Sequence, residues 1–396
     1  MMNWSFTPRR ILSVDALRGL TMMMMLFVND IPSLRDIPQW LLHAATQEDR
    51  MGFSDLVFPC FLFCVGMSVP LSVEQRRQVR GESDWQIAGH VLKRTLVLLA
   101  LGLLTLNNGG VEEGLSYAQF NLLMVVGVVL TWGVHPSKGR WRRPLQALNA
   151  VGVVMLVSLV VYKDLHGQPF EVGWWGILGL IGWTYAVCAT VYLMVGQKRG
   201  LIPLLAIAAI LLAVGNRSAF IPHDWASRVI LLPFIPGGWT HHALGMCGMA
   251  AVMMMQHCYA KGKHLHYIVG LLVGAVVMLG LGMWAHEYWI ISKNMATPTW
   301  LFFCISVFLP VLALFYWLTE VKGLTTWTVG LKPAATATLT CYMLPYGWYA
   351  LQGMMCWSYP ELLQAGGCGL LRSMLFAVVI CLITEMLGRI GVKLKI

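Results

Sequence analysis

The residues best equipped for chemistry lie early in the chain. Asp15 and Arg18 are spaced i, i+3, and Asn29 follows fourteen residues after Asp15, inside an otherwise apolar run. At 100° per residue the first two share a helix face, and Asn29, nearly four turns on, returns to it. With 1.5 Å of rise per residue the three make a polar stripe about 21 Å long. Ionisable groups within a spanning helix belong on a bundle interior or a wet cavity, because lipid exposure costs several kcal/mol. The plainer alternatives are an interfacial ion pair for Asp15 and Arg18, and capping or a turn for Asn29. His43 then stands in the loop IPSLRDIPQWLLHAATQEDRMGFSDL, just after Trp40-Leu41-Leu42, a short interfacial segment that keeps the ring near the membrane. Imidazole is the side chain best suited to take up and release protons near neutrality, although a loop histidine can equally be a solvated polar residue. Asp55 opens the next apolar run, where it either caps a helix or holds His43 in one tautomer. Periodicity and charge alone support a polar path through a membrane.

The elements that must position these groups are membrane helices. The 396 residues are 58% hydrophobic and 12% charged, against roughly 25% charged in soluble domains, so the expected fold is all-α, a polytopic membrane bundle. Runs long enough to span, about 17–25 residues each, fall at 11–29, 54–73, 88–106, 117–134, 146–162, 174–196, 200–214, 239–255, 266–284, 299–318, 335–352 and 370–391. That makes twelve helices, with ten as the lower bound because 146–162, 200–214 and 239–255 are short or weakly apolar. No low-complexity linker divides residues 1–396, which read as one domain. The Pro- and Trp-rich stretch 215–238 is expected to lie over the outer face.

The net charge of +10 is distributed as short basic clusters between apolar runs. That pattern favours positive-inside loops over a nucleic-acid surface. With the amino terminus in the cytoplasm, cytoplasmic segments carry twenty-one Lys and Arg and the other side seven, so His43 is expected to face away from the cytoplasm. The basic Arg9-Arg10 start resembles a signal peptide, but Asp15 and Arg18 interrupt the run that follows, which reads as a retained first span.

Most of the ten cysteines lie inside apolar runs and read as packing residues. Cys356 and Cys368 share one outer loop and could pair if that side is oxidising. No CxxC spacing appears, and no metal is expected. The methionine runs Met22–Met25 and Met253–Met255 suit adaptable packing better than a copper path. His241-His242 opens a helix and could line an acceptor cavity, while His257, His264 and His266 crowd a cytoplasmic loop without metal spacing. Tryptophans gather near span ends, as an aromatic belt does, and Trp225, Trp239, Trp284 and Trp289 in outer loops could stack on sugar faces.

The order Ser13-Val14-Asp15, Arg18-Gly19, Val28-Asn29, His43-Ala44, Asp55-Leu56-Val57-Phe58-Pro59, then Phe61-Leu62-Phe63 with Gly66, resembles the heparan-α-glucosaminide N-acetyltransferase family of transmembrane acetyltransferases and its bacterial relatives. A second block agrees: Ile291-Ser292-Lys293-Asn294, Thr297-Pro298-Thr299 and Val321-Lys322-Gly323-Leu324 are similar to the family's lysine-asparagine loop and the helix and turn after it. Gly176-Ile177-Leu178-Gly179 to Tyr185 is a weaker echo of a Gly-Val-Leu-Gln-Arg helix. The resemblance covers most of the chain outside 107–170, where two spans look like an inserted helix pair. Departures bear on acceptor recognition. Gly182-Trp183 replaces Gln-Arg, Ile235-Pro236-Gly237-Gly238-Trp239-Thr240 lacks the acids of an Asp-Pro-Glu-Gly loop, and Met295-Ala296 stands where a tryptophan is usual.

The resemblance implies an enzyme that moves acetyl from cytosolic acetyl-CoA to the amine or hydroxyl of a sugar or glycan on the opposite face. In a bacterium that means the inner membrane, with His43 facing the periplasm. It implies His43 as general base or transient acetyl carrier, and Asn29 as the amide that polarises the thioester carbonyl. Asp15 and Arg18 are then placed where the coenzyme enters. Asp55, Lys293 and Asn294 fall on the acceptor side. The partners implied are acetyl-CoA, the sugar acceptor and the lipid bilayer, with a homodimer as the open assembly state. Two other classes compete. A transporter of a small polar or anionic solute predicts inverted repeats, and a non-catalytic assembly protein predicts a dispensable His43.

Overall fold

Each apolar run becomes a helix. A computed structural model describes residues 11–111, 114–133, 142–196, 198–218 and 238–394. Arg9, Arg10, Lys138, Arg140, Lys395, Trp225, Arg228 and the 219–237 part of the expected outer loop lie outside the described residues. The helices in chain order are α1 (Leu12–Asp30), α2 (Ser54–Glu74), α3 (Asp84–Leu106), α4 (Tyr117–Trp132), α5 (Arg142–Leu165), α6 (Gly176–Val195) and α7 (Ile202–Gly215). Then come α8 (Thr240–Ala260), α9 (His264–His286), α10 (Pro298–Tyr316), the short α11 (Lys332–Thr336), α12 (Thr338–Met354) and α13 (Gly366–Arg389). Beyond these and short helical turns, only two isolated bridges occur among the described residues. The chain is an all-α polytopic membrane protein.

Eight described helices are long and apolar enough to cross a bilayer. All twelve expected runs are helical, and the difference has a physical source. The helices Tyr117–Trp132 and Arg199–Gly215 are apolar but short. Thr338–Met354 has only 17 residues and a proline inside. Thr240–Ala260 is diluted by histidine, glycine and glutamine, although nearly all of its first sixteen residues are buried.

The chain forms two compact units: Met1–Thr21, Pro38–Leu99 and Ile177–Val329 in the first, and Met22–Ile37, Ala100–Gly176 and Gly330–Ile396 in the second. In the first, α2 packs on α8 at glycines. A Cβ on Gly66 would lie 1.8 Å from the Gly245 carbonyl oxygen, and one on Gly248 would lie 2.0 Å from that of Phe63. Backbones this close transmit position with little slack, as small-residue interfaces between membrane helices do. At the far end of α2 the fully buried Glu74 accepts from Arg77 (2.6 Å), Gln78 (2.6 Å), Arg199 (2.8 Å) and the Tyr192 hydroxyl (3.1 Å), tying α2 to α6 and to the turn before α7.

In the second unit α4 and α5 pack face to face, with Gly127 against Leu156 and Gly152 against Thr131. They are the pair that the family resemblance treats as inserted. The end of α1 is fixed by the buried Asp30, which accepts from Arg372 (2.6 Å), Tyr349 (2.6 Å) and Ser373. Cys356 and Cys368 are both exposed, free thiols.

Candidate active site

The site is built by three segments of the first unit. The loop after α1 carries His43. Phe53 donates to the Trp40 carbonyl (2.7 Å) and the Ser54 hydroxyl to that of Leu41, which folds the loop back onto the start of α2. Gly52 permits that fold, since a Cβ there would lie 1.8 Å from the Leu42 carbonyl oxygen. The third segment is the turn before α10. There Thr297 caps the helix by accepting from the Trp300 amide, and Pro298 occupies the first turn, where its missing N–H goes unneeded. Ala296 adopts φ +49°, a left-handed conformation unusual for a residue with a Cβ. It closes a turn in which its amide donates to the Lys293 carbonyl (3.0 Å), and the Thr240 hydroxyl of α8 donates to the Ala296 carbonyl (2.8 Å).

These segments bring His43, Asp55 and Lys293 together. His43 Nδ1 lies 2.7 Å from Asp55 Oδ1, while Lys293 Nζ is 3.2 Å from Nδ1 and 3.9 Å from Oδ1. The other carboxylate oxygen, Oδ2, accepts the amides of Ala44 (3.0 Å) and Gly52 (3.1 Å). Asp55 therefore serves the His43 loop rather than the first amides of α2. Its side chain is 3% exposed and that of His43 is 39% exposed. An ionised carboxylate only accepts, so the proton between the two sits on Nδ1. That tautomer leaves a lone pair on Nε2, the arrangement of a histidine oriented by a carboxylate to act as a base. The Lys293 ammonium is then a charge neighbour of Asp55, not a donor to the ring. Burial holds its amine below the usual lysine range, with the Asp55 charge opposing the shift.

Asn294 is exposed and donates to the Thr46 hydroxyl (3.1 Å) on the His43 loop. Asp15 and Arg18 are paired at 2.8 Å, and Arg18 also donates to Ser68 on α2 (3.1 Å). Ser68 lies thirteen residues beyond Asp55, about 20 Å along the helix axis. Asn29, one residue before the end of α1, is exposed. Among the described residues no group of three or more His, Cys, Asp or Glu is placed to hold a metal ion.

Several supporting contacts are invisible to sequence spacing. The Trp300 indole donates to the Asp55 carbonyl (3.2 Å), and Ser292 donates its hydroxyl to the Thr46 carbonyl (2.9 Å). Asp49 accepts from the Ile291 amide (2.8 Å) and from His286 (2.9 Å). Nothing local in the sequence pairs the 43–55 loop with residues some 240 positions away. The Ile291 amide, followed by burial and His286, sets the Asp49 pKa, with the hydrogen bonds holding it below the usual carboxylate range. A carboxylate lowered on folding stabilises above its unfolded value, near ~4, and that contribution is lost as pH falls through the lower folded value. The difference in melting midpoint between wild type and Asp49→Ala is therefore expected to be present at neutral pH and to close in acid below about pH 4.

Residues 10–234 match the family described as domain of unknown function (DUF5009). The chain is also similar to the heparan-alpha-glucosaminide N-acetyltransferase of Homo sapiens, 33% identical over 130 residues, and to that of Mus musculus, 32% identical over 128 residues. Those stretches cover 33% and 32% of this chain and 18% of each relative, so the match spans under a fifth of the curated proteins' length.

Proposed function

The chain belongs to the DUF5009 family, and we propose on that premise that it is a transmembrane acetyltransferase. Its donor is cytosolic acetyl-CoA, and its acceptor is an amine or hydroxyl of a sugar or glycan on the non-cytoplasmic side. The observation that carries this reading is the orientation of His43 by Asp55, which leaves Nε2 as a base on an exposed residue beside a half-buried cation. The likeness to acetyltransferases of human and mouse supports the reaction class.

In this mechanism the acceptor's amine or hydroxyl attacks the thioester carbonyl carbon as its proton passes to His43 Nε2. The tetrahedral intermediate collapses with cleavage of the carbon–sulfur bond. The imidazolium returns the proton to the departing coenzyme A thiolate, and the ester or amide leaves as product. Asp55 stabilises the transient imidazolium and fixes its tautomer. Arg18 donates to Asp15 and to Ser68, and a planar guanidinium at that end of α1 suits the phosphates of the coenzyme. Lys293 and Asn294 lie on one turn beside the base, where they can orient the acceptor.

The positive-inside distribution supports the sidedness, with the inner membrane of a bacterium as the setting and His43 on the periplasmic side. Calorimetric titration of the purified protein is expected to give saturable acetyl-CoA binding. Failure to bind any acyl-CoA would overturn the enzyme reading.

A further inference from the structure

Two charges of the His43 loop are engaged within it. Arg50 donates to Glu48 at 2.7 and 3.1 Å and to the Gln39 carbonyl at 2.8 Å, and Glu48 also accepts the Ala45 amide (3.0 Å). Asp49, between them, bonds outside the loop, to the end of α9 and the turn after it. Its Oδ1 accepts the Ile291 amide (2.8 Å), and His286 Nε2 lies 3.0 and 2.9 Å from its two oxygens. Phe303 on α10 meets the His286 ring edge-on, with centroids 6.5 Å apart, which gives that ring a packed seat. A second crossing lies three residues earlier, where Thr46 accepts from Ser292 and Asn294.

These contacts bear on the geometry of the base. Asp55 fixes the His43 loop to α2, whereas Lys293 belongs to the turn that begins two residues earlier at Ile291. The 3.2 Å between Lys293 Nζ and His43 Nδ1 therefore requires the loop and that turn to keep register. Asp49 and His286 are 43% and 42% exposed, and an exposed ion pair adds little to global stability. Register is another matter, because a misplacement of about 1 Å can cost on the order of 10²-fold in rate. The other charges nearby are engaged elsewhere. Glu48 and Arg50 hold each other, Lys293 faces Asp55, and Arg217, on the turn after α7, donates to the Met295 carbonyl. Glu287 follows His286 in the chain and is exposed, and the contact from α10 is the uncharged Phe303 ring. Asp49 is thus the charge that faces His286. With the Ile291 amide as the main cause, its carboxyl stays below the usual carboxylate range. It is therefore ionised across about pH 5–8, where histidines exchange their proton. A neutral His286 already donates to it, and a protonated one adds an opposite charge to the same contact.

We propose that Asp49 is a positioning residue for the transfer step. With His286 and the Ile291 amide it latches the loop of the base to the turn of Lys293, and the latch tightens when His286 takes up a proton. The role in transfer rests on the acetyltransferase reading above, whereas the latch itself does not.

The test uses the full chain in nanodiscs, with amide hydrogen exchange read on peptides spanning 43–53 and 286–294 and acetyl transfer measured alongside. Asp49→Ala is expected to speed exchange about tenfold in both peptides and to leave those of α6 unchanged. It is also expected to lower kcat roughly 10–10²-fold with the KM for acetyl-CoA kept. Asp49→Asn at pH 8 is expected to recover part of both losses, because its amide oxygen still accepts from Ile291 and its NH2 donates to a neutral His286. From pH 8 to pH 5, after correction for intrinsic exchange, the protection of wild type over His286→Gln should widen by up to about threefold, the scale of one exposed ion pair. Unchanged exchange of both peptides in Asp49→Ala overturns the latch, whatever the activity of the protein. Faster exchange with kcat unaltered overturns the positioning role, since the contact then only braces the loop. A wild-type advantage over His286→Gln that stays constant with pH overturns the proton dependence. Faster exchange in Asp49→Ala, when wild type transfers no acetyl group, keeps the latch and rejects the acetyltransferase.

Discussion

Asp55→Asn is expected to lower acetyl transfer roughly 10³–10⁴-fold, the scale found when a histidine-orienting carboxylate is neutralised in a catalytic triad. The reason is geometric. Asp55 Oδ2 receives two amide protons, from Ala44 and Gly52, so the NH2 of an asparagine cannot occupy that position. Its carbonyl must face those amides and its NH2 must face His43 Nδ1. The ring is then forced to accept at Nδ1 and carry its proton on Nε2, which abolishes the base without disturbing the loop. Acetyl-CoA affinity and melting midpoint should stay near wild type, so the loss belongs to kcat. A variant that keeps its kcat would show that Nε2 is not the proton acceptor.

Glu74→Ala is expected to have the largest effect on stability. Glu74 is fully buried, and the Arg199 guanidinium that it receives is 8% exposed. Breaking a buried pair by removing one partner costs about 3–5 kcal/mol, because the remaining charge stays desolvated. Arg77 is less committed, since it also reaches the exposed Asp84 at 2.7 Å and can turn to solvent. Arg199, almost fully buried, is the partner less able to turn to solvent. Thermal melts are expected to show a strong drop for Glu74→Ala and a partial recovery when Arg199→Leu is added. Equal losses from the single and double variants would mean that the pair is not what the substitution disturbs.

Much of the fold was legible in the sequence because hydropathy is a local property. Every expected apolar run is helical, from α1 through α13. The weaker cases, α8 and α12, fall short of spanning criteria for reasons that composition shows: histidines and glutamine in one, length and Pro345 in the other. The division into two units was not legible. It depends on which helices pair, and both units are assembled from segments far apart in the chain.

The site divides along the same line. His43, Asp55, Lys293 and Asn294 were legible as residue types in a familiar order, and the structure brings the first three within 4 Å. Their supports were not legible. Trp300 looks like an ordinary belt tryptophan until its indole meets the Asp55 carbonyl, and Asp49 looks like a loop acid until it takes the Ile291 amide. For Asp55 the sequence left two roles open, and the bond to His43 with the two loop amides distinguishes them. Glu74 and Asp30 carry no signal of their own in the sequence, and only tertiary contacts reveal them as buried hubs.

The central claim is tested most directly in proteoliposomes of known orientation, with labelled acetyl-CoA supplied on the side of the basic loops and glucosamine on the other. Wild type is expected to label the sugar on the His43 side, while His43→Ala binds the donor normally and transfers nothing. Label transferred at the wild-type rate by His43→Ala, or only to sugar on the donor's own side, would contradict the account.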